Sequence, residues 1–179
     1  MSQSPPSIRP LYTSEERWRR DHTAWTTVQG VLAPLQFLVF LISLVLVCRS
    51  LLWGLDTDWA LASVVVKTLL LYTIMITGCI WEKVVFGQYL FAASFFWEDV
   101  FSMAVLALHT AYLWVWWEQS ASAQFQLGLA LAAYAAYVIN ATQFLLKLRA
   151  ARLQSQRESI AESDVSNYPS SAWPAGETP

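Results

Sequence analysis

The sequence is poor in charged residues, histidines and cysteines, and each shortage excludes a class of protein. Only 13% of its 179 residues are charged, against about a quarter in an average soluble domain. The net charge of −2 is too small to indicate a nucleic acid or an acidic substrate. Cys48 and Cys79 stand singly in apolar stretches, without CxxC spacing or a neighbouring His, so neither a disulfide framework nor a zinc site is expected. Both are predicted to be small core residues.

Hydrophobic residues are abundant instead. They make up 56% of the chain, and aromatic residues make up 15%, which is more apolar surface than a soluble chain of this length can bury. Four apolar stretches are long enough to cross a bilayer as helices, at roughly 20 residues each. Short polar connections between them predict antiparallel neighbours, and therefore an all-α, integral membrane, up-and-down four-helix bundle. The predicted spans are Val28–Leu52, Ala60–Trp81, Phe95–Trp117 and Phe125–Leu148.

The positive residues predict the orientation of these spans. All Lys and Arg residues except Arg49 and Lys67 lie before the first span, in the second connection, or at and after the end of the fourth span. By the positive-inside rule, both termini and the second connection face the cytoplasm. No cleavable signal is visible before the first span, which is therefore expected to be retained.

Two flanking segments complete the predicted organisation. Residues 1–26 form an N-terminal segment in which Thr13–Trp25 begins with a Thr-x-x-Glu capping pattern. Trp18, His22 and Trp25 share one face of this helix, which indicates a short helix lying at the membrane interface. Residues 27–153 form the membrane domain, and residues 154–179 are rich in Ser, Glu, Pro and Ala and are predicted to be a disordered tail.

Several polar side chains fall inside the predicted spans, where they are costly and usually paired or functional. Helical spacing places Glu98, Ser102 and His109 on one face of the third span, with His109 about 16 Å deeper than Glu98. The residues predicted to share a layer in the cytoplasmic half are Gln36, Thr73, Ser102, Asn140 and Gln143. The residues predicted to lie above that layer, at the mouth of the bundle, are Glu82, Glu98, Asp99 and Lys147.

Structural roles compete with functional ones for each of these groups. Asp99 would form an ion pair with Lys147 or Lys83, and Glu82 with its neighbour Lys83. Lys67 is expected to extend its amine toward the membrane surface. The Asn and Gln side chains would join helices, and His109 would hydrogen-bond a neighbouring helix.

Four strings of sequence resemble the vinyl bacteriochlorophyllide hydratase family of bacteriochlorophyll biosynthesis. They are WEKVVFG, FFWEDVFSM, ALHTAY and YVINATQFLLKLRAARL. The resemblance implies a hydro-lyase of a bacterial cytoplasmic membrane (inner or intracytoplasmic) that adds water to the ring-A vinyl group of chlorophyllide a or a bacteriochlorophyllide. The product is the 1-hydroxyethyl pigment.

The residue roles are assigned from position and chemistry. Hydration needs an acid that protonates the terminal vinyl carbon and a group that accepts a proton from the attacking water. Glu98 is the leading acid, with Asp99 or Glu82 orienting water. Glu98 and Asp99 diverge on the helix and are not expected to share a proton, so the base is open to residues of another helix. The predicted substrate-binding residues are His109, Tyr72, Ser102, Asn140, Gln143 and Gln36.

No redox cofactor and no metal of the protein's own are expected, because magnesium enters only with the pigment. His109 or His22 is a candidate axial ligand for that magnesium. The main alternative function is a non-catalytic pigment-binding or photosystem-assembly protein, and a b-type haem protein with His109 and His22 as ligands is a third. The expected partners are the pigment and the bilayer, with no nucleic acid; self-association and contacts with other pigment-biosynthesis enzymes are left open.

Overall fold

The computed structural model describes residues 11–166, which form five α-helices joined by short connections. The helices are α1 (Ser14–His22), α2 (Ala24–Trp53), α3 (Thr57–Phe86), α4 (Phe96–Glu118) and α5 (Ala123–Ser166). Residues 11–166 contain no strand. Helices α2, α3, α4 and the Ala123–Leu153 part of α5 are long and apolar enough to span a membrane. The predicted all-α fold with four spans is confirmed, and the protein is a multi-pass membrane protein.

The helix ends follow from local sequence. Thr13 caps α1 through the predicted capping box: its side chain accepts from the Glu16 N–H at 3.2 Å, and its own N–H donates to the Glu16 carboxylate at 2.7 Å. Gly54 and Gly87 end α2 and α3 in the left-handed conformation that glycine adopts without steric cost. These glycines place the two turns at either end of α3.

The compact unit formed by residues 12–144 has an apolar exterior and a partly polar interior. Large apolar side chains such as Phe37, Leu38 and Ile42 are exposed on α2, whereas Gln36 and Ser43 of the same helix are buried. A soluble domain shows the opposite distribution. The exterior therefore suits contact with lipid, and the polar groups are kept for contacts between helices.

Hydrogen bonds between helices fix the arrangement of this unit. The Ser43 hydroxyl of α2 lies 2.5 Å from the Tyr134 hydroxyl of α5 and 2.6 Å from the Ser63 hydroxyl of α3. The Tyr112 hydroxyl of α4 donates to the carbonyl oxygen of Leu61 at 2.9 Å. These contacts tie all four spanning helices together within the bundle.

The N-terminal helix is anchored by an aromatic side chain that precedes it. Tyr12 is buried and stacks on Phe86, with ring centroids 5.7 Å apart, while the Arg20 guanidinium lies 4.7 Å from the centre of its ring. Burial raises the pKa of the Tyr12 phenol despite the opposing effect of Arg20, so the phenol is neutral at physiological pH. Trp18 is exposed and stacks on His22, but the helix ends at His22, and Trp25 belongs to α2. The predicted three-residue face therefore extends over two helices.

The last helix is longer than the sequence suggests. It continues to Ser166, past residue 154 where the predicted disordered tail begins. Residues 155–166 contain no Gly or Pro, the two residues that interrupt helices most strongly. Residues 1–10 of the predicted N-terminal segment and 167–179 of the predicted tail lie outside the described residues.

The second compact unit includes residues 145–166 of this helix, where a surface cavity of about 350 Å³ is lined by Leu145, Leu148, Arg149 and Arg152.

Candidate functional site

Two buried carboxyl groups meet where α3 ends and α4 begins. Glu82 lies in the last turns of α3 and Asp99 in the first turn of α4, and both side chains are buried. The two carboxyl groups lie close enough to interact with each other. Two ionised carboxylates at short range repel each other, so this arrangement favours a proton held by one of the two groups.

The connection between the helices supplies a backbone donor to each carboxyl group. The N–H of Ala92 donates to Glu82 Oε1 at 2.7 Å, and the N–H of Phe91 donates to Asp99 Oδ2 at 2.7 Å. Backbone donors of this kind hold a carboxyl group in a fixed position without supplying a countercharge. The Lys83 amine is directed to the Gly87 carbonyl oxygen, 2.6 Å away, rather than to Glu82.

The paired carboxyl groups can exchange a proton between two chemically similar oxygens. The protonated group can act as a general acid while its ionised partner accepts a proton from water, which gives one site both functions. Sequence reasoning named both residues but did not pair them. Cys79, one turn before Glu82, was predicted to be a core residue; it is a half-buried free thiol within electrostatic range of both carboxyl groups.

Glu98, the residue favoured as acid from sequence, directly precedes Asp99 in the first turn of α4 and is also buried. One turn further along α4, the Ser102 hydroxyl accepts a hydrogen bond from Asn140 Nδ2 at 2.9 Å. Ser102 and Asn140 therefore meet between α4 and α5, which agrees with the prediction that they lie in the same layer.

Amide groups of the predicted layer have open hydrogen-bonding positions. The side-chain oxygens of Gln36, Asn140 and Gln143 are buried and accept no hydrogen bond from any residue of the described range 11–166. Thr73, predicted in the same layer, is exposed and donates to the carbonyl of its own helix. Tyr72 is only partly buried, and its hydroxyl lies 2.8 Å from that of the exposed Thr110. The structure does not bring Tyr72 together with the buried amides.

A second polar cluster lies deeper in the bundle. Lys67 is completely buried, with its amine 3.7 Å from the centre of the Tyr137 ring. The prediction that this amine reaches the membrane surface is wrong, because the side chain is enclosed by neighbouring helices. His109 is also completely buried; its Nδ1 lies 2.8 Å from the carbonyl oxygen of Val105, and its ring packs against Tyr134.

Two polar atoms of this deeper cluster, Lys67 Nζ and His109 Nε2, have no hydrogen-bond partner in the part of the chain that the structure describes. Lys67 precedes Glu82 by fifteen residues, or about 22 Å along a helix. No signal in the sequence distinguishes a buried lysine of this kind from one that extends to the surface. His22, the other candidate magnesium ligand, is exposed on α1 and bound to Trp18.

Comparison with known proteins adds independent evidence. Residues 12–150 match the family model for 2-vinyl bacteriochlorophyllide hydratase. The chain is 64% identical to the 2-vinyl bacteriochlorophyllide hydratase of Rhodobacter capsulatus over 153 residues, covering 86% of this chain and 89% of the relative. It is 65% identical to the protein of the same name from Cereibacter sphaeroides over 148 residues, covering 83% and 92%. No solved structure matches the chain at significant similarity.

Proposed function

The chain belongs to the 2-vinyl bacteriochlorophyllide hydratase family, and we propose from that premise that Glu82 and Asp99 carry out its proton transfers. The enzyme is a hydro-lyase that adds water to the vinyl group of its pigment substrate in bacteriochlorophyll synthesis. The observation that carries the residue assignment is the pair of buried carboxyl groups at the junction of α3 and α4, held by the N–H groups of the consecutive residues Phe91 and Ala92.

The reaction needs one proton given and one proton taken. The protonated carboxyl group of the pair donates to the terminal vinyl carbon, and the positive charge spreads into the macrocycle. Water then attacks the carbon next to the ring and loses a proton to the ionised carboxyl group. The pair again holds one proton, now on the other group, and transfer of that proton back to its partner restores the starting arrangement.

The backbone donors set which oxygens are available. The Ala92 N–H donates a hydrogen bond to Glu82 Oε1, and the Phe91 N–H donates one to Asp99 Oδ2. Each carboxyl group keeps a second oxygen for its partner, the vinyl carbon or water. Glu98 lies on the adjoining position of α4 and remains a competing acid, so the two assignments must be separated by substitution.

The buried amides fit a role in holding water. Gln36, Asn140 and Gln143 each have an amide oxygen without a hydrogen-bond partner among the described residues, and a water molecule can donate to such an oxygen. Asn140 lies against Ser102, one turn below Asp99. We assign these amides to the water that the reaction consumes, and not to the pigment oxygens, which only accept.

The substrate assigned here is chlorophyllide a or a bacteriochlorophyllide that retains its vinyl group. No cofactor is required, because the reaction has no redox step and magnesium enters with the pigment. His109 is less suited to bind that magnesium than the sequence implies, since its side chain is completely buried against Tyr134. The enzyme is assigned to the cytoplasmic membrane or its intracytoplasmic extensions, with the carboxyl pair on the cytoplasmic side.

Membranes that contain the protein should convert chlorophyllide a to a product heavier by one water, without an added redox cofactor. In D₂O the new methyl group should carry one deuterium that does not wash out in H₂O, because the proton on the terminal carbon comes from an exchangeable carboxyl group. Mass spectrometry of the extracted pigment checks both points. Pigment binding by folded protein without this mass change would favour the carrier function.

A reporter at the C-terminus should be located in the cytoplasm. Four spans return the chain to its starting side, and the Lys and Arg distribution favours the cytoplasm for that side. A second reporter inserted at Gly54, between α2 and α3, should give the opposite location. The same location for both reporters would contradict this topology.

A further inference from the structure

Aromatic side chains lie exposed beside the carboxyl pair. Phe91 and Phe96 are 41% and 44% exposed, and their ring centroids are 5.7 Å apart. Trp97 packs edge-on against Phe96, with centroids 5.5 Å apart and planes at 87°. We call Phe91 and Phe96 the aromatic ledge. Trp97 packs against one side of it.

The backbone of Phe91 makes this position unusual. Its φ is +62°, in the left-handed region that bulky residues rarely occupy and glycine occupies freely. Other residues with positive φ in the described part of the chain are the polar Asp56 and Gln119 and the glycines Gly54 and Gly87. A strained conformation at a bulky residue is retained where the residue has a task.

The strained residue, Phe91, also binds one of the two carboxyl groups through its backbone. The Phe91 N–H donates to Asp99 Oδ2 at 2.7 Å, so the Phe91 ring projects from the backbone unit that holds one of the two carboxyl groups. The next residue, Ala92, donates to Glu82 and is buried. A flat ligand stacked on the ledge would therefore contact the residue whose backbone holds Asp99.

We propose that the aromatic ledge binds one face of the substrate macrocycle and thereby positions the vinyl group at the carboxyl pair. The proposal rests on the proposed function. Aromatic rings stack in offset or edge-to-face arrangements at centroid distances of about 4.5–7 Å. Because Phe91 and Phe96 are neighbours at such a distance, both rings can contact the same large planar pigment. A lipid chain has no planar face and no need for a ring at a strained position.

The test is the substitution Phe91→Gly, which removes the ring and relieves the backbone strain together. We expect both the apparent Kd for chlorophyllide a and the KM to rise about tenfold or more, because one aromatic contact with the pigment is lost. The Kd is measured by absorbance titration of the purified protein in detergent. The thermal midpoint should stay the same or rise, because glycine suits positive φ. Phe91→Tyr should recover most of the lost affinity.

Gln119→Gly is the matched control. Gln119 has φ +48° at the opposite end of α4, so this substitution relieves the same kind of strain away from the ledge and should leave Kd and KM unchanged. The proposal is overturned if Phe91→Gly leaves both values within twofold of the parent, or if it lowers the thermal midpoint and Tyr does not restore binding.

The outcomes also separate this proposal from the proposed function. Weaker pigment binding in Phe91→Gly, in a protein that never hydrates the vinyl group, would support the ledge and refute the enzyme. Hydration with unchanged binding would support the enzyme and refute the ledge. A lower thermal midpoint in pigment-free lipid vesicles, together with unchanged pigment binding, would assign these rings to lipid contact and refute the ledge.

Discussion

Glu82→Gln should lower the turnover number by about 10²–10⁴-fold, the usual cost of losing a general acid or base. Glutamine keeps the size of the side chain, and its carbonyl oxygen can still accept the Ala92 N–H that Glu82 accepts at 2.7 Å. It cannot exchange a proton with Asp99. The measurement is the initial rate of chlorophyllide a hydration at equal amounts of inserted protein, with pigment binding determined separately. Binding should change little.

Glu98→Gln is the matched control for this substitution. Glu98 is a buried carboxyl residue next to Asp99 in sequence, so the variant carries the same change of charge in the same region. Its turnover should fall less than tenfold. The opposite ranking, with Glu98→Gln nearly inactive and Glu82→Gln nearly normal, would return the acid role to Glu98.

The fold was accessible from the sequence because membrane crossing depends on a local property. A helix that spans a bilayer must be apolar over about 20 residues, and the four stretches fulfil this condition. The capping box at Thr13 is also local, since its three-residue spacing alone brings Thr13 and Glu16 together. The contact of Ser102 with Asn140 could be anticipated because helical rise gives depth and periodicity gives direction.

The carboxyl pair could not be derived in this way. Glu82 and Asp99 lie on different helices, and their contact depends on the path of the connection from Gly87 to Phe95, which folds back so that Phe91 and Ala92 donate to the two carboxyl groups. Periodicity describes directions within one helix only. Sequence reasoning therefore compared Glu98 with its neighbour Asp99, found that they diverge, and left the base unassigned.

Lys67 shows a second limit. The length of a lysine side chain permits two placements, with the amine at the membrane surface or inside the bundle, and the choice depends on neighbours from other helices. Here the Tyr137 ring of α5 receives the amine, a contact that forms only after the helices pack. Tyr137 lies seventy residues after Lys67, and no periodicity in the sequence indicates that the two side chains meet.

The double variant Glu82→Gln/Asp99→Asn should be no less active than the slower of its two single variants. In a pair that shares one proton, either substitution already removes the exchange, so the second has little left to remove. Independent contributions would multiply instead, and two losses of about 10²–10⁴-fold would give about 10⁴–10⁸-fold. A coupling of at least 10²-fold between the two substitutions is therefore expected, measured as hydration rates of both single variants and the double variant.

The combination Glu98→Gln/Glu82→Gln provides the comparison for this coupling. If Glu98 acts outside the pair, its modest effect should multiply with that of Glu82→Gln within about twofold, as expected of sites that do not share a function. Multiplicative losses in Glu82→Gln/Asp99→Asn would contradict a shared proton, and strong coupling of Glu98 with Glu82 would place the second carboxyl group of the catalytic pair at Glu98 instead of Asp99.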